Sequence, residues 1–432
     1  MPRVLPSVVV AVAACEPPPT YYQDVKPILD GRCVTCHQEG AIAPFALTTY
    51  DEARARALPI SAMVQARLMP PWLAGPADVT YRDDPSLTPA QIQTLRRWAE
   101  AEAPEGDSRS PGPPLQPVST GLDRVDLEVA MPEPYTPILY PDEYRCFPLP
   151  WPLGQTSYVT GFDARPGNPT LVHHVAVYLV PPAHAALPVE WDGEDEAPGY
   201  TCFGGPSGDR DLAVPIQLLA AWTPGFQGIS HPEGIGIAVQ PQSVLVMQLH
   251  YQQRGGASAA LDADQTSLRF RLGGAVDRRA VYAPWLKLDW VLGAMPIPAG
   301  DPSVEHSVSD DPRWFFDLFI DLDLDRGFLI HGVLFHMHKL GVEGSVTLVR
   351  PNGERITVLN IPRWDFDWQR EYHLTEPVAF LPGDEVELRC RWDNSAANQP
   401  LLDGVRRSPA DVNWGEGSDE EMCVADLLIT AR

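Results

Sequence analysis

The stretch Cys33-Val34-Thr35-Cys36-His37 constrains this chain more than any other. Two cysteines two residues apart, followed at once by histidine, are what covalent haem attachment requires. The thiols add across the two vinyl groups and the adjacent imidazole ligates the iron. The motif therefore predicts one-electron chemistry. It also sits near the start of a 432-residue chain, so most of the sequence lies downstream of it and needs a separate account.

A chain this long exceeds one ordinary core and predicts about three domains. The net charge of −25, with no basic run, argues against a nucleic-acid partner. The 47 prolines and 33 glycines suit short strands and turns better than long helices. The first residues, Met1-Pro2-Arg3, precede an apolar stretch that ends at Ala14, followed by Cys15. That is the order of a secretory signal, and it is short for a membrane span. Val12-Ala13-Ala14-Cys15 resembles a bacterial lipobox, which would make Cys15 the lipid-bearing mature terminus; simple export is the alternative. Either way the expectation is an exported protein; the lipobox reading makes it a periplasmic or cell-envelope lipoprotein of a bacterium, touching the membrane only through its N-terminal lipid. Of the seven cysteines, Cys146, Cys202, Cys390 and Cys423 remain, an even number suited to two disulfides in an oxidising compartment.

The chain reads as a signal segment (1–15), a small helical haem domain (16–107), a Ser/Pro/Gly-rich linker (108–121), and two β domains (122–277 and 278–432). In the helical part, Tyr21–Leu29 has helical spacing, with Pro27 acceptable only near a first turn. A short helix is expected over Asp51–Ala57, interrupted by Pro59, with a second from Ile60 to Ala66. Thr88 as N-cap and Pro89 behind it start a well-marked helix carrying Ile92, Leu95 and Trp98 on one face. His37 supplies one axial ligand to the iron. Met69, in Leu68-Met69-Pro70-Pro71-Trp72, is the candidate for the other; Met63 is its rival, but its helical position predicts a core role. Residues 20–107 resemble the small c-type cytochrome domains of exported bacterial proteins.

Beyond the linker the period changes to strands bounded by Pro, Gly and Asp, which predicts a mainly β region of two tandem antiparallel, jelly-roll-like β-sandwiches. Three histidine clusters lie on these strands. His173-His174 is a neighbouring pair, and neighbours on a strand face opposite ways, so a metal at a sheet margin is a cleaner explanation than two satisfied core imidazoles. His250, taken alone, reads as an ordinary satisfied histidine. His336-Met337-His338 places two imidazoles on one strand face, as a single metal ion needs. His331 lies an odd number of positions away and is left out. Met422 offers a thioether late in the same domain, and two imidazoles with a thioether favour copper over zinc.

Together these residues resemble the type II copper monooxygenases over about 125–432. The resemblance rests on Tyr144-Arg145-Cys146, His173-His174, Ala221-Trp222, Gln248-Leu249-His250-Tyr251, His336-Met337-His338, Cys390, and Glu421-Met422-Cys423. It implies one copper held by His173, His174 and His250 for electron transfer. It implies a second held by His336, His338 and Met422, where dioxygen binds. It also implies a Cys390–Cys423 disulfide and, with less support, Cys146–Cys202. The implied activity is hydroxylation of a C–H bond of a small organic molecule with O2, driven by two single-electron deliveries. The fused haem, itself reduced by an external donor, would replace the family's ascorbate. Departures bear on the substrate. The position of the arginine that grips a peptide carboxylate in the amidating branch is Leu334. The Asn and Tyr positions of that branch are Val424 and Asp426, and the residue after the His pair is Val175. A peptide C-terminus is thus a poor substrate guess. A non-enzymatic haem and copper electron carrier on the same scaffold is the alternative.

Overall fold

The computed structural model describes residues 17–432, apart from 117, 119–120, 209, 211–215, 225–227, 254–260 and 403. Cys15 and the expected signal segment lie outside the described residues. The chain forms two compact units. One comprises the described residues up to Pro71 together with Pro85–Val118; the other comprises Trp72–Asp84 and the chain beyond Val118.

Among its described residues the first unit contains helices and no strands: a π turn at Tyr21–Val25, then Lys26–Arg32, Tyr50–Ala55, Ala57–Gln65 and Pro89–Glu100. Pro27 falls in the first turn of its helix, where no intrahelical N–H is needed. The break expected at Pro59 instead falls at Arg56. Pro59 lies in the first turn of Ala57–Gln65, so its missing N–H costs nothing. Thr88 caps the last helix through a reciprocal box with Gln91. Leu95 and Trp98 are fully buried against Tyr21, Val25 and Leu29. Met63 differs from expectation: it is exposed.

The second unit is mainly β and built of antiparallel sheets. A five-stranded sheet contains Asp142–Pro150, Val244–Gln252 and Val172–Val180 side by side. It packs on the first half of a nine-stranded sheet through Phe147, Val175, Val177 and Leu249 on one side and Val159, Phe162 and Phe270 on the other. The second half of the nine-stranded sheet contains Arg278–Trp285, Val424–Ala431, Phe328–His336 and Glu371–Phe380 in that order. It packs on a four-stranded sheet through Val333, Phe335, Leu427, Val346 and Leu388. Two sandwich cores thus share one long sheet. They are fused where Arg278 and Arg279 pair in parallel with Ile235 and Gly236. The expected boundary between 277 and 278 is therefore bridged by a hydrogen-bonded ladder. Disulfides join Cys146 to Cys202 and Cys390 to Cys423. No helix of the described residues is long and apolar enough to cross a membrane.

Candidate metal centres

His173, His174 and His250 converge, with one ligand atom from each within 4.8 Å of the others. The Nδ1 of His174 is 3.3 Å from that of His173 and 3.4 Å from that of His250. A tetrahedral ion with metal–nitrogen bonds of about 2.05 Å separates its ligand nitrogens by roughly 3.3–3.4 Å, so the two separations to His174 match such an ion, and the third lies within 4.8 Å. Strict alternation along the strand would forbid this. The ladder explains it: Val172 pairs with Tyr251 and His174 with His250, leaving His173 as the extra residue of a β-bulge. The bulge turns both neighbouring imidazoles to the same side. The expectation that they face opposite ways is corrected there.

The surroundings fix the rings. His250 is fully buried, stacks on Tyr144 at 4.3 Å, and places Nε2 2.8 Å from Asp142 Oδ1. Burial pushes His250 down to about 4, against the opposing pull of Asp142. Burial, with the neighbouring imidazoles, likewise holds His174 far below the usual imidazole range. Neutral imidazoles are what a metal requires. Burial alone would raise Asp142, but hydrogen bonds and charge from His250, Lys339 and Ser418 hold it low, as the carboxylate. It is the familiar outer partner of a metal-binding imidazole.

His336 ends its strand and His338 follows two residues on, with ring centroids 4.9 Å apart. Each Nδ1 is engaged from outside: His336 by Gln369 Oε1 at 2.6 Å, His338 by the Glu420 carbonyl at 3.1 Å. That fixes the tautomer and leaves each Nε2 for a ligand role. The strand ladder ends with His336 opposite Val424, and buried Met422 precedes that partner strand by two residues; Glu421 accepts from the backbone amides of both His338 and Met422. The Met422 loop is pinned by the Cys423–Cys390 disulfide and by Glu421. The fully buried Glu421 carboxylate accepts from the backbone N–H groups of His338 (2.9 Å) and Leu340 (2.6 Å) and from Trp392 Nε1 (2.8 Å). Burial raises Glu421 to about 7 despite these donors. His331 stays out of both groups. It is the extra residue of a second bulge, between Ile330 and Gly332, and meets Thr430 Oγ1 at 3.0 Å. Phe366 lies between the two histidine groups, 4.7 Å from His173 and 6.2 Å from His338 by ring centroid.

In the helical unit Cys33 and Cys36 are outside the two disulfides and half-buried. Helical-turn hydrogen bonds run from the Cys36 and His37 amides to the Cys33 carbonyl, at 3.1 and 2.9 Å. His37 donates Nδ1–H to the Phe45 carbonyl at 3.1 Å, leaving Nε2 for an iron. Two thiols outside any disulfide, beside an oriented imidazole, are the residue types that a covalent haem needs. Met69 is half-buried in the loop beyond the Ala57–Gln65 helix.

Sequence reasoning missed Asp142, Gln369 and Glu421 as the residues that hold the ligands. Asp142 and Gln369 lie 108 and 33 residues from the histidines they hold, and no motif links them. Glu421 stands beside Met422, and an acid immediately before Met-Cys was the one signal to follow.

Residues 319–428 match the family described as copper type II ascorbate-dependent monooxygenase, C-terminal domain. The match contains His336, His338 and Met422 and supports a copper-using oxidoreductase of the monooxygenase kind. The chain is also similar to DBH-like monooxygenase protein 1 of Mus musculus and of Homo sapiens. Each is 24% identical over 272 residues, covering 62% of this chain and 40% of the relative. MOXD1 homolog 2 of Drosophila melanogaster is 22% identical over 247 residues, covering 54% of this chain and 30% of the relative. The chain thus spans at most two-fifths of the length of these curated relatives.

Proposed function

We propose that this protein is an exported copper monooxygenase that hydroxylates a C–H bond of a small organic substrate with O2, taking electrons one at a time from a haem c on its own N-terminal unit. Cys33 and Cys36 hold the haem, with His37 and Met69 as axial ligands. His173, His174 and His250 hold the electron-transfer copper; His336, His338 and Met422 hold the oxygen-site copper. Cys15 carries a lipid. The domains follow the boundaries read from the sequence, save that 72–84 travels with the β unit. The observation that carries the reading is the convergence of His173, His174 and His250, with two Nδ1 separations at metal-ligand spacing, in a chain whose His-x-His stretch matches the copper family. Bound copper supplies reversible one-electron redox and dioxygen activation.

The chain's own residues do the rest. Asp142 orients His250, Gln369 orients His336, and Glu421 ties the His338 turn to the Met422 loop. A cavity of about 790 Å³ opens beside Phe366, lined in part by Tyr140, Asp142, Lys339, Trp364 and Arg407, and offers entry to a small molecule. Leu334 and Asp426 give no grip to a substrate carboxylate. Burial, with the charge of Glu371, pushes Asp426 up to about 7.

Metal analysis and product analysis test the reading together. The expected result is one haem and two coppers per chain, with an oxygenated product from a substrate panel supplied with O2 and reductant. Copper that binds but never turns over O2 would favour the non-enzymatic electron carrier. A chain that takes up no copper refutes both.

A further inference from the structure

We propose that His231 and His373 form a further metal site, holding a single cuprous ion between two imidazoles where the sandwiches meet. It stands apart from both histidine groups described above and does not depend on the function proposed for them.

The two rings come from different sandwiches. His231 follows the strand Ile229–Ser230, which pairs with Ser157–Arg165 of the first, and its amide donates to the Thr160 carbonyl at 2.8 Å. His373 lies on Glu371–Phe380 of the second. Arg82, in the 72–84 excursion of the same compact unit, ties the two together. Its amide donates to the His373 carbonyl at 2.8 Å and its guanidinium to the Ser230 carbonyl at 3.3 Å. Both histidines are 3% exposed, yet neither Nδ1 meets a hydrogen-bond partner among the described residues. Buried polar atoms are rarely left so.

His373 has the outer partner that a metal-binding imidazole needs. Its Nε2–H donates to Glu371 Oε1 at 2.5 Å, and Glu371 Oε2 accepts from the Tyr282 hydroxyl at 2.8 Å. This repeats the Asp142–His250 arrangement and leaves Nδ1 as a bare lone pair. Gly332 seats the Nε2 side of the ring, since a Cβ there would come within 2.7 Å of His373 Cδ2. The Nδ1 edge is thereby left for His231. Burial, with His373 beside it, pushes His231 down to about 3, so its imidazole is neutral, as a metal requires. Burial alone would raise Glu371, but His373, His231 and Tyr282 hold it low, as a carboxylate that offsets the charge of the ion.

Spacing selects the ion. The ring centres of His231 and His373 are 5.9 Å apart. With metal–nitrogen bonds of about 2 Å and each nitrogen about 1.15 Å from its ring centre, a straight N–metal–N arrangement sets the rings roughly 6.3 Å apart, and a modest bend gives the observed value. The rings of the trio are closer, at 5.5, 4.9 and 4.8 Å, as three ligands on one ion require. Among the described residues no third histidine, cysteine or carboxylate completes a set with this pair. Zinc takes four ligands. Cuprous copper accepts two imidazoles nearly in line. Two ligands hold a cupric ion poorly, so this ion is additional to the two coppers of the oxidised chain.

The test uses the full chain with its haem attached, kept reduced and anaerobic, and titrates cuprous copper against a coloured cuprous chelator. Three cuprous ions per chain are expected. His231→Phe and His373→Phe, which keep a ring and remove the nitrogens, should each bind two. His174→Ala should lose a different ion, so that combined with His373→Phe it leaves one. Only two ions in the wild type, with water on the orphaned nitrogens, would overturn the proposal, as would a third ion that survives in both phenylalanine variants. If those variants fail to fold, His373→Gln, which keeps a polar group toward Glu371, takes their place with the same expected loss of one ion. A chain that binds one cuprous ion, lost in His373→Phe, and no other refutes the function proposed above and leaves this site standing.

Discussion

Glu421→Ala is the most informative single change outside the ligands. The carboxylate is fully buried and accepts from the His338 and Leu340 amides and from Trp392 Nε1, at 2.9, 2.6 and 2.8 Å; the Met422 amide approaches at 3.3 Å. Truncation strands these donors where water does not replace the lost oxygens. A buried donor left without an acceptor costs about 1–3 kcal/mol. The three short bonds share one network and will not add fully, so a loss of roughly 3–6 kcal/mol is expected. At a few degrees per kcal/mol for a domain of this size, the β-unit melting transition should fall by roughly 10 °C or more. Glu421→Gln keeps one acceptor oxygen but turns an amide group toward donors, so its loss should be intermediate. Calorimetry on the copper-free full chain reads both variants without any metal dependence. The same variants should loosen the His338–Met422 turn and weaken the second copper in a titration. A Glu421→Ala chain that melts within about 2 °C of wild type would refute the claim that this carboxylate holds the loop.

Three further outcomes follow from the geometry. Met422→Ile should abolish O2-dependent turnover while leaving the haem spectrum intact; retained turnover would reject Met422 as a ligand. Asp142→Asn removes the carboxylate behind His250 and should weaken copper at the trio by about 10–100-fold in a competition titration, with the second site little changed. Asp426 keeps its proton in the fold to about pH 7, against an ordinary value of 3.8. Its stabilising contribution is therefore complete at acid pH and is lost as pH rises through that window. The urea midpoint of wild type relative to Asp426→Asn should fall between about pH 4 and pH 7, and a flat difference would refute it.

How much of this was legible depends on the kind of signal. The Thr88 cap and the alternating strands act over a few residues, and the fold places them as read. The His-x-His pair was legible for the same reason, since a period of two needs no partner strand. The His173-His174 pair was not. Its geometry depends on a bulge that exists only in register with Tyr251 and His250, some 75 residues on. The parity argument about His331 meets the same limit, because a bulge sits at that residue too. The excursion of 72–84 was hidden for a different reason. Its Trp, Leu and Tyr carry no period, and what holds them is the edge of a sheet about 280 residues away.

The two histidine groups are not independent modules, and the groups around their ligands show why. Asp142 orients His250 on the first sandwich, yet it is itself held by Ser418 at 2.8 Å and approached by Lys339 at 3.6 Å, both from the second. His173 stacks on Phe366 of the second sandwich at 4.7 Å. Thr223 of the first donates to the carbonyl of Gln369, the residue that orients His336. Each site therefore borrows part of its rigidity from the opposite sandwich, and outer partners of this kind govern how well ligand imidazoles are presented. A first sandwich separated from the second would keep its three histidines but lose the groups that aim them. Copper affinity at the trio should thus depend on residues of the second sandwich that touch no metal, with Ser418→Ala the smallest change that would reveal it.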